Sequence, residues 1–377
     1  MGREQPNHKQ KKPQTKKNTN KKNHKFRHQP PIFFANLCIN QNDLFGMKCW
    51  PIPTIIACLL ASCASEVQNT IILSGSAQGT TYNITYVAGA YANYRVAIDS
   101  IFHNIDQSLS TWQTNSLISQ INRNETNIID AHFLAVFRKA KEVSEITNGL
   151  FDPTVAPLVQ AYGFGFKKKD QVTPALIDSL RRWVGYKNIG LQDNKLVKKH
   201  AQAMLDFNAI APGYTVDVLA AFLESKDIEH YLIELGGEVL AKGNKIDGSS
   251  WILGIVQPNE NQNDDTHLNT RIQLKNLALA TSGNYKNFYI EDGKKYSHII
   301  HPYTGLPARN SLLSATVTAT DCMTADAYAT ACMVMGWQAA KQFIESHPEL
   351  HISAYFIYDD EGTTKTYFSR NFPQLIP

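Results

Sequence analysis

Apolar residues alternate with polar ones over residues 81–87 (TYNITYV), the period-2 pattern of strands, and the apolar run at 71–73 reads as a strand too, with residues 74–80 as a Gly/Ser turn between them. Over residues 94–109 the pattern changes: Val96, Ile98, Ile101, Ile105 and Leu109 fall on one helical face. Further helices are predicted over 116–122, 131–147 (stopped by Asn148-Gly149), 174–183 (opened by Thr173-Pro174), 215–223, 324–335 and 338–347. Strand-like runs fill most of the remainder, at 188–191, 195–197, 203–206, 231–235, 238–242, 251–256, 271–274, 277–281, 288–290, 313–319, 351–358 and 364–368. Such alternating strands mixed with helices predict an α+β fold. No repeat and no proline-rich linker interrupts residues 70–377, which read as one folded unit.

Composition changes this picture only at the N-terminus. The 377 residues are 43% hydrophobic and 19% charged, an ordinary globular balance that excludes wholesale disorder and fibrous repeats. The net charge of +4 is unevenly placed. Residues 1–46 carry ten Lys/Arg against Glu4 and Asp43, which leaves the remainder of the chain at −4. The basic balance is therefore no sign of nucleic-acid binding by the folded part, and no nucleic-acid partner is expected. The Lys/Asn/Gln-rich extension has almost no apolar residue before Phe26, so it reads as disordered. The expectation is a start placed upstream of the true one, with a nucleic-acid or anionic-lipid arm as the alternative.

From Met47 the chain runs MKCWPIPTIIACLLASCASE: a Lys, an apolar stretch too short to span a bilayer, then small residues. This is the order of a secretory signal over residues 47–63, and Leu60-Ala61-Ser62-Cys63 resembles a bacterial lipobox with Cys63 as the lipidated residue. A buried apolar segment is the competing explanation. The expected location is the bacterial cell envelope, lipid-anchored and facing the periplasm. Of the six cysteines, only Cys322 and Cys332 then remain in the body, both in an apolar helical stretch that predicts buried free thiols. No CxxC or Cys/His zinc spacing occurs, which excludes a disulfide scaffold and disfavours zinc.

Neither G-x-G-x-x-G after a strand nor G-x-x-x-x-G-K-[ST] is present, so neither common nucleotide cradle is used. What stands out is a series of small-residue and acidic clusters at element ends. Asp152-Pro153 opens a short helix after Gly149-Leu150-Phe151, and capping alone accounts for Asp152 as well as a site does. In Asp206–Asp217 (DFNAIAPGYTVD) a strand ends at an acid and a helix begins near Pro212. A helix N-terminus suits phosphate, but a carboxylate beside it repels phosphate unless a cation intervenes. Gly236-Gly237 separates two strands and is explained equally by a plain hairpin. After Thr281-Ser282-Gly283, the run Ser297-His298-Ile299-Ile300-His301-Pro302 places two histidines three apart in an extended segment, on different faces. One histidine acting as acid/base or phosphate donor is favoured there over zinc. Asp326 and Thr330, four apart near a helix start, offer a carboxylate and a hydroxyl on one face, hard oxygen ligands of the kind Mg²⁺ takes beside substrate phosphates. A capping Asp in an Ala-rich helix is the alternative for Asp326.

Taken in order, GTTYNITY, IDQSLSTWQTNSLISQIN, NGLFDPTVAPLVQAYGFG, DFNAIAPGYTVD, YLIELGGEVLAKG, TSGNYKNFY, SHIIHPYTG and ADAYATACMVMG resemble the ApbE family of flavin transferases. The resemblance implies the ApbE-like flavin transferase fold and Mg²⁺-dependent transfer of FMN from FAD to a Thr/Ser hydroxyl of an acceptor flavoprotein, with AMP leaving. Many members are periplasmic lipoproteins, and their acceptors are subunits of membrane redox complexes. It implies Mg²⁺ held by Ala209, Asp326 and Thr330, and FAD along Gln78, Trp112, Leu150, Phe151, Asp152, Asp206, Pro212 and Ile300. His298 is the residue it implies for proton handling. Two departures stand out: Pro212 occupies a place where the family often has Lys, Glu or Gln, and His301 stands for the usual Asp. FAD hydrolysis to FMN and AMP at the same site, or non-catalytic FAD storage by a lipoprotein, are the alternatives.

Overall fold

A ten-residue strand, β1 (Gln68–Ala77), turns directly into β2 (Thr80–Gly89). The connection is only Gln78-Gly79, both left-handed at φ +52° and +76°. Two positive φ values make the tight turn whose twist matches paired strands. Of the Gly/Ser turn expected over residues 74–80, only Gln78-Gly79 turns; residues 74–77 and Thr80 belong to the strands. Gly75 belongs in β1 because a Cβ there would meet the Tyr82 ring at 2.7 Å. The computed structural model describes residues 68–89, 92–164, 172–255, 270–284, 288–291 and 294–376. These all belong to one unit, Ala64–Pro377. The basic extension and the 47–63 leader with Cys63 lie outside the described residues, as do Gly165 and Tyr285 of the motifs.

Helices α1 (Arg95–Leu109), α2 (Leu117–Asn122) and α3 (Ala131–Ile146) follow, α2 and α3 capped by the Ser116 and Asp130 side chains. A 3-10 turn at Pro153–Val155 leads into α4 (Ala156–Ala161), then α5 (Pro174–Arg181) and the hairpin β3 (Ile189–Gln192)–β4 (Lys195–Lys198). Next come α6 (Ala211–Glu224), β5 (Tyr231–Leu235), β6 (Glu238–Lys242), β7 (Trp251–Ile255), β8 (Thr270–Leu274) and β9 (Leu277–Gly283). The chain then forms β10 (Phe288–Glu291), β11 (Lys294–Ser297), β12 (Leu312–Ala319), α7 (Cys322–Met335), α8 (Trp337–Ser346), β13 (Ser353–Asp360), β14 (Thr363–Phe368) and β15 (Leu375–Ile376). This is the expected α+β class.

Eight strands form one antiparallel sheet in the order β1-β2-β5-β6-β9-β12-β13-β14. Both faces of its centre are covered, and β13 shows how: Ala354 and Phe356 join the core under α3 and α7, while Tyr355 and Ile357 pack with the small sheet β15-β8-β7. Helix α7 touches β9, β12, α3, α6 and α8. A helix enclosed on every side needs small apolar residues all round, which is why its sequence is Ala-rich with no polar stripe. Cys322 and Cys332 are buried free thiols in it, as expected.

Residues 203–206 form no strand among the described residues, contrary to expectation. Their backbone is satisfied elsewhere. Leu205 exchanges two 2.8 Å hydrogen bonds with the Asn122 side-chain amide, and Asp206 N–H donates to Pro153 O at 2.7 Å. Side-chain partners replace a ladder, which delivers Asp206 and the turn after it to the start of α6.

Candidate active site

The clusters singled out along the sequence meet in a cleft of about 340 Å³. Its walls are segments 150–153, 206–209, 236–238, 281–283 and 298–302, with Asp326 and Thr330 from α7. Of the residues implied for the site, Leu150, Phe151, Asp152, Asp206, Ala209, His298, Ile300, Asp326 and Thr330 line it. Gln78, Trp112 and Pro212 do not. Gln78 sits on the β1–β2 turn with its Oε1 accepting from Thr215 Oγ1 of α6 at 3.2 Å. Trp112 is 56% exposed on the loop between α1 and α2. Its neighbour Thr111 accepts from Asn208 of the cleft wall at 3.4 Å, so the loop flanks the rim. Pro212 lies in the first turn of α6, where its missing N–H costs nothing.

The first turn of α6 is capped by a side chain from α7. Gly213 N–H, one of the first-turn donors of α6 that a helix leaves without an internal partner, donates to Asp326 Oδ2 at 3.0 Å. Among the described residues the Ala209 carbonyl accepts no hydrogen bond. Asp326 is not the cap of its own helix, since Asp321 takes that role through Thr324 N–H at 2.8 Å. It holds the start of another helix. Thr330, one turn on, exchanges a hydrogen bond with Ser282 Oγ at 3.0 Å. Among the described residues no three His, Cys, Asp or Glu side chains converge as a metal cluster. What converges is a hard oxygen set of one carboxylate, one hydroxyl and one unpartnered carbonyl. That set fits Mg²⁺, which keeps waters and takes its remaining ligands from substrate phosphates.

The cleft is also rich in acids: Asp152, Asp206, Glu238 and Asp326. Burial raises the pKa of Asp326, which the nearby Asp217 charge raises further and the Gly213 N–H opposes. Burial likewise raises Asp206, whose carboxylate accepts from Asn208 N–H at 2.8 Å. A carboxylate disfavoured by burial gains from a bound cation that stabilises its charge. Asp152 is otherwise engaged: Oδ1 takes Thr154 N–H and O–H, and Oδ2 takes Tyr186 N–H at 2.8 Å. Its capping role is thus real, and its carboxylate stiffens the wall that carries Leu150 and Phe151.

His298 lines the cleft with its ring edge-on to Phe164, centroids 6.3 Å apart. His301 is not in the lining. Its Nδ1 accepts from Tyr303 N–H at 3.2 Å, the local turn-closing contact that an Asp carboxylate makes in the same position. The replacement therefore preserves the turn. Gly236 and Gly237 form the β5–β6 turn with φ +69° and +147°, the hairpin expected, and line the cleft as well. Sequence reasoning missed Gly213, Ser282 and Glu238 as site residues. Each lay inside a small-residue cluster already noticed, but none has a local pattern that distinguishes it.

The fold is that of the flavin transferases. The structure of flavin transferase ApbE from Vibrio cholerae superposes with a TM-score of 0.72 at 32% identity, covering 81% of this chain and 99% of that one. Pseudomonas stutzeri flavinyl transferase ApbE, apo form, superposes with a TM-score of 0.72 at 27% identity, over 80% and 95% of the two chains. The family described as ApbE matches residues 78–356, and the chain belongs to it. A protein named FAD:protein FMN transferase from Vibrio cholerae is 33% identical over 88% of this chain and 99% of its own length. A Haemophilus influenzae protein of the same name is 33% identical over 86% and 96%.

Proposed function

We propose that the chain transfers FMN from FAD to a Thr or Ser hydroxyl of an acceptor flavoprotein and releases AMP, with Mg²⁺ held by Ala209, Asp326 and Thr330. The observation that carries this is the meeting, in one cleft lined by glycines and acids, of the buried Asp326 carboxylate, the Thr330 hydroxyl and the Ala209 carbonyl, which accepts no hydrogen bond among the described residues. The acceptor oxygen forms a bond to the FMN-side phosphorus, the anhydride P–O bond breaks, and the electron pair leaves on AMP. When bound, Mg²⁺ neutralises charge on the pyrophosphate oxygens. The chain supplies the rest. His298 takes the hydroxyl proton, Phe151 and Ile300 give the ligand apolar walls, and Gly236-Gly237 lets backbone approach closely. The family resemblance implies that Gln78, Trp112 and Pro212 lie along FAD as well, and the Trp112 loop, held to Asn208 of the cleft wall through Thr111, suits a ligand that reaches beyond the cleft.

The test of the proton assignment is His298→Ala. Transfer to the acceptor is expected to fall about 10²–10⁴-fold in kcat while FAD still binds with near-unchanged affinity. Unchanged kcat across the pH range removes His298 from the mechanism.

The same reading places the protein in the bacterial envelope, lipid-anchored through Cys63 and facing the periplasm, where acceptors in membrane redox complexes lie within reach. Support comes from the order of charge, apolar stretch and small residues over 47–63. Cys63→Ser is expected to accumulate as an unlipidated precursor, and normal lipid labelling of that variant contradicts the assignment. A chain beginning at Met47 is expected to localise as the full chain does.

A further inference from the structure

Helices α6 and α7 hold each other by exchanged caps. From α7, Asp326 Oδ2 takes the Gly213 N–H in the first turn of α6. From α6, Asp217 takes two successive N–H groups at the start of α7, Cys322 to Oδ1 at 2.7 Å and Met323 to Oδ2 at 2.8 Å. Asp217 does not line the cleft; it lines a second cavity. Two carboxylate oxygens on two consecutive donors fix α7 along its axis relative to α6, as a single contact would not. Gly213 fixes the separation, because a Cβ there would lie 2.5 Å from Cys322 O. The Ala209 carbonyl lies just ahead of α6 and Asp326 is carried by α7, so this crossing sets the distance between them.

We infer that Asp217 is a positioning residue for the cation site: its bidentate grip on the first turn of α7 sets Asp326 against the Ala209 carbonyl. The inference rests on the proposal that these oxygens hold Mg²⁺. Asp321 supplies the control, since it caps the same helix through Thr324 N–H but belongs to α7 itself and spans nothing.

The experiment compares the full-length wild type, Asp217→Asn and Asp321→Ala, each with FAD. It measures melting temperature and FMN transfer against MgCl₂ concentration. Asp217→Asn is expected to raise both MgCl₂ midpoints about 10-fold or more, as loss of a residue supporting metal ligands does, with kcat recovered at saturating MgCl₂. Asp321→Ala is expected to lower melting temperature without moving either midpoint. Unmoved midpoints in Asp217→Asn, or an equal shift in Asp321→Ala, overturn the inference. If Asp217→Asn does not fold, Asp217→Glu keeps the charge but lengthens the grip, and the same midpoint shift is required of it. A wild type whose melting and turnover ignore MgCl₂ is a different failure: it removes the metal proposal itself.

Discussion

Asp326→Ala is expected to lose FMN transfer by about 10³-fold or more while the protein stays folded. The activity loss follows from electrostatics. Asp326 is the carboxylate of the oxygen set, and without it the cleft offers a diphosphate only neutral ligands and other acids. Stability is a separate account. The variant orphans the Gly213 N–H, which costs about 1–3 kcal/mol when buried. It also removes a buried carboxylate whose pKa is already raised by burial and by Asp217, so part of that cost is returned. Alanine suits the helix interior, and strong helix formers surround the position. Asp326→Asn is the sharper variant, because its amide oxygen can still accept from Gly213 while the charge is gone. It is expected to melt near wild type and to be as inactive as alanine. Thr330→Ala is expected to be milder, since water replaces a neutral ligand. Thermal melts beside transfer assays check all three; transfer by Asp326→Ala in EDTA at the wild-type rate contradicts the metal role.

Gly213→Ala is expected to destabilise the protein by about 1–3 kcal/mol or more, although Ala is ordinarily the better helix former by about 1 kcal/mol. The added Cβ would lie 2.5 Å from Cys322 O and 2.8 Å from Asp326 Cβ, and the first of these is backbone that cannot rotate away. Relief requires α6 and α7 to part, which also draws the Ala209 carbonyl from Asp326. The variant is therefore expected to combine a lower melting temperature with a weaker MgCl₂ response. A rise in melting temperature, the outcome of propensity alone, contradicts the close crossing.

Local chemistry made much of this molecule readable. The Asn148-Gly149 stop ends α3 in the sequence as it does in the fold, and Thr173-Pro174 opens α5. The expected α+β class followed from period alone. The order of the sheet did not, because β6 pairs with β9 and β9 with β12 through contacts that no local pattern encodes. Residues 203–206 look like a strand and are held by Asn122, some eighty positions away, which only the fold brings near. The site divides in the same way. Asp326 and Thr330 share a face by helical spacing, so the pair was visible. That Asp326 takes its N–H from Gly213, 113 residues earlier, was not, and neither was the grip of Asp217 on α7. A capping reading of Asp326 was half right, since it holds a helix start, but that of α6.

The central claim is tested most directly by incubating the full chain with FAD, MgCl₂ and an acceptor flavoprotein domain that bears the target Thr or Ser. The acceptor is then separated by denaturing gel and read by flavin fluorescence and intact mass. The expected result is a fluorescent acceptor heavier by FMN less one water, AMP released in equal amount, and neither product in EDTA or with Asp326→Asn. Free FMN and AMP with an unlabelled acceptor, or labelling that EDTA leaves untouched, contradicts it.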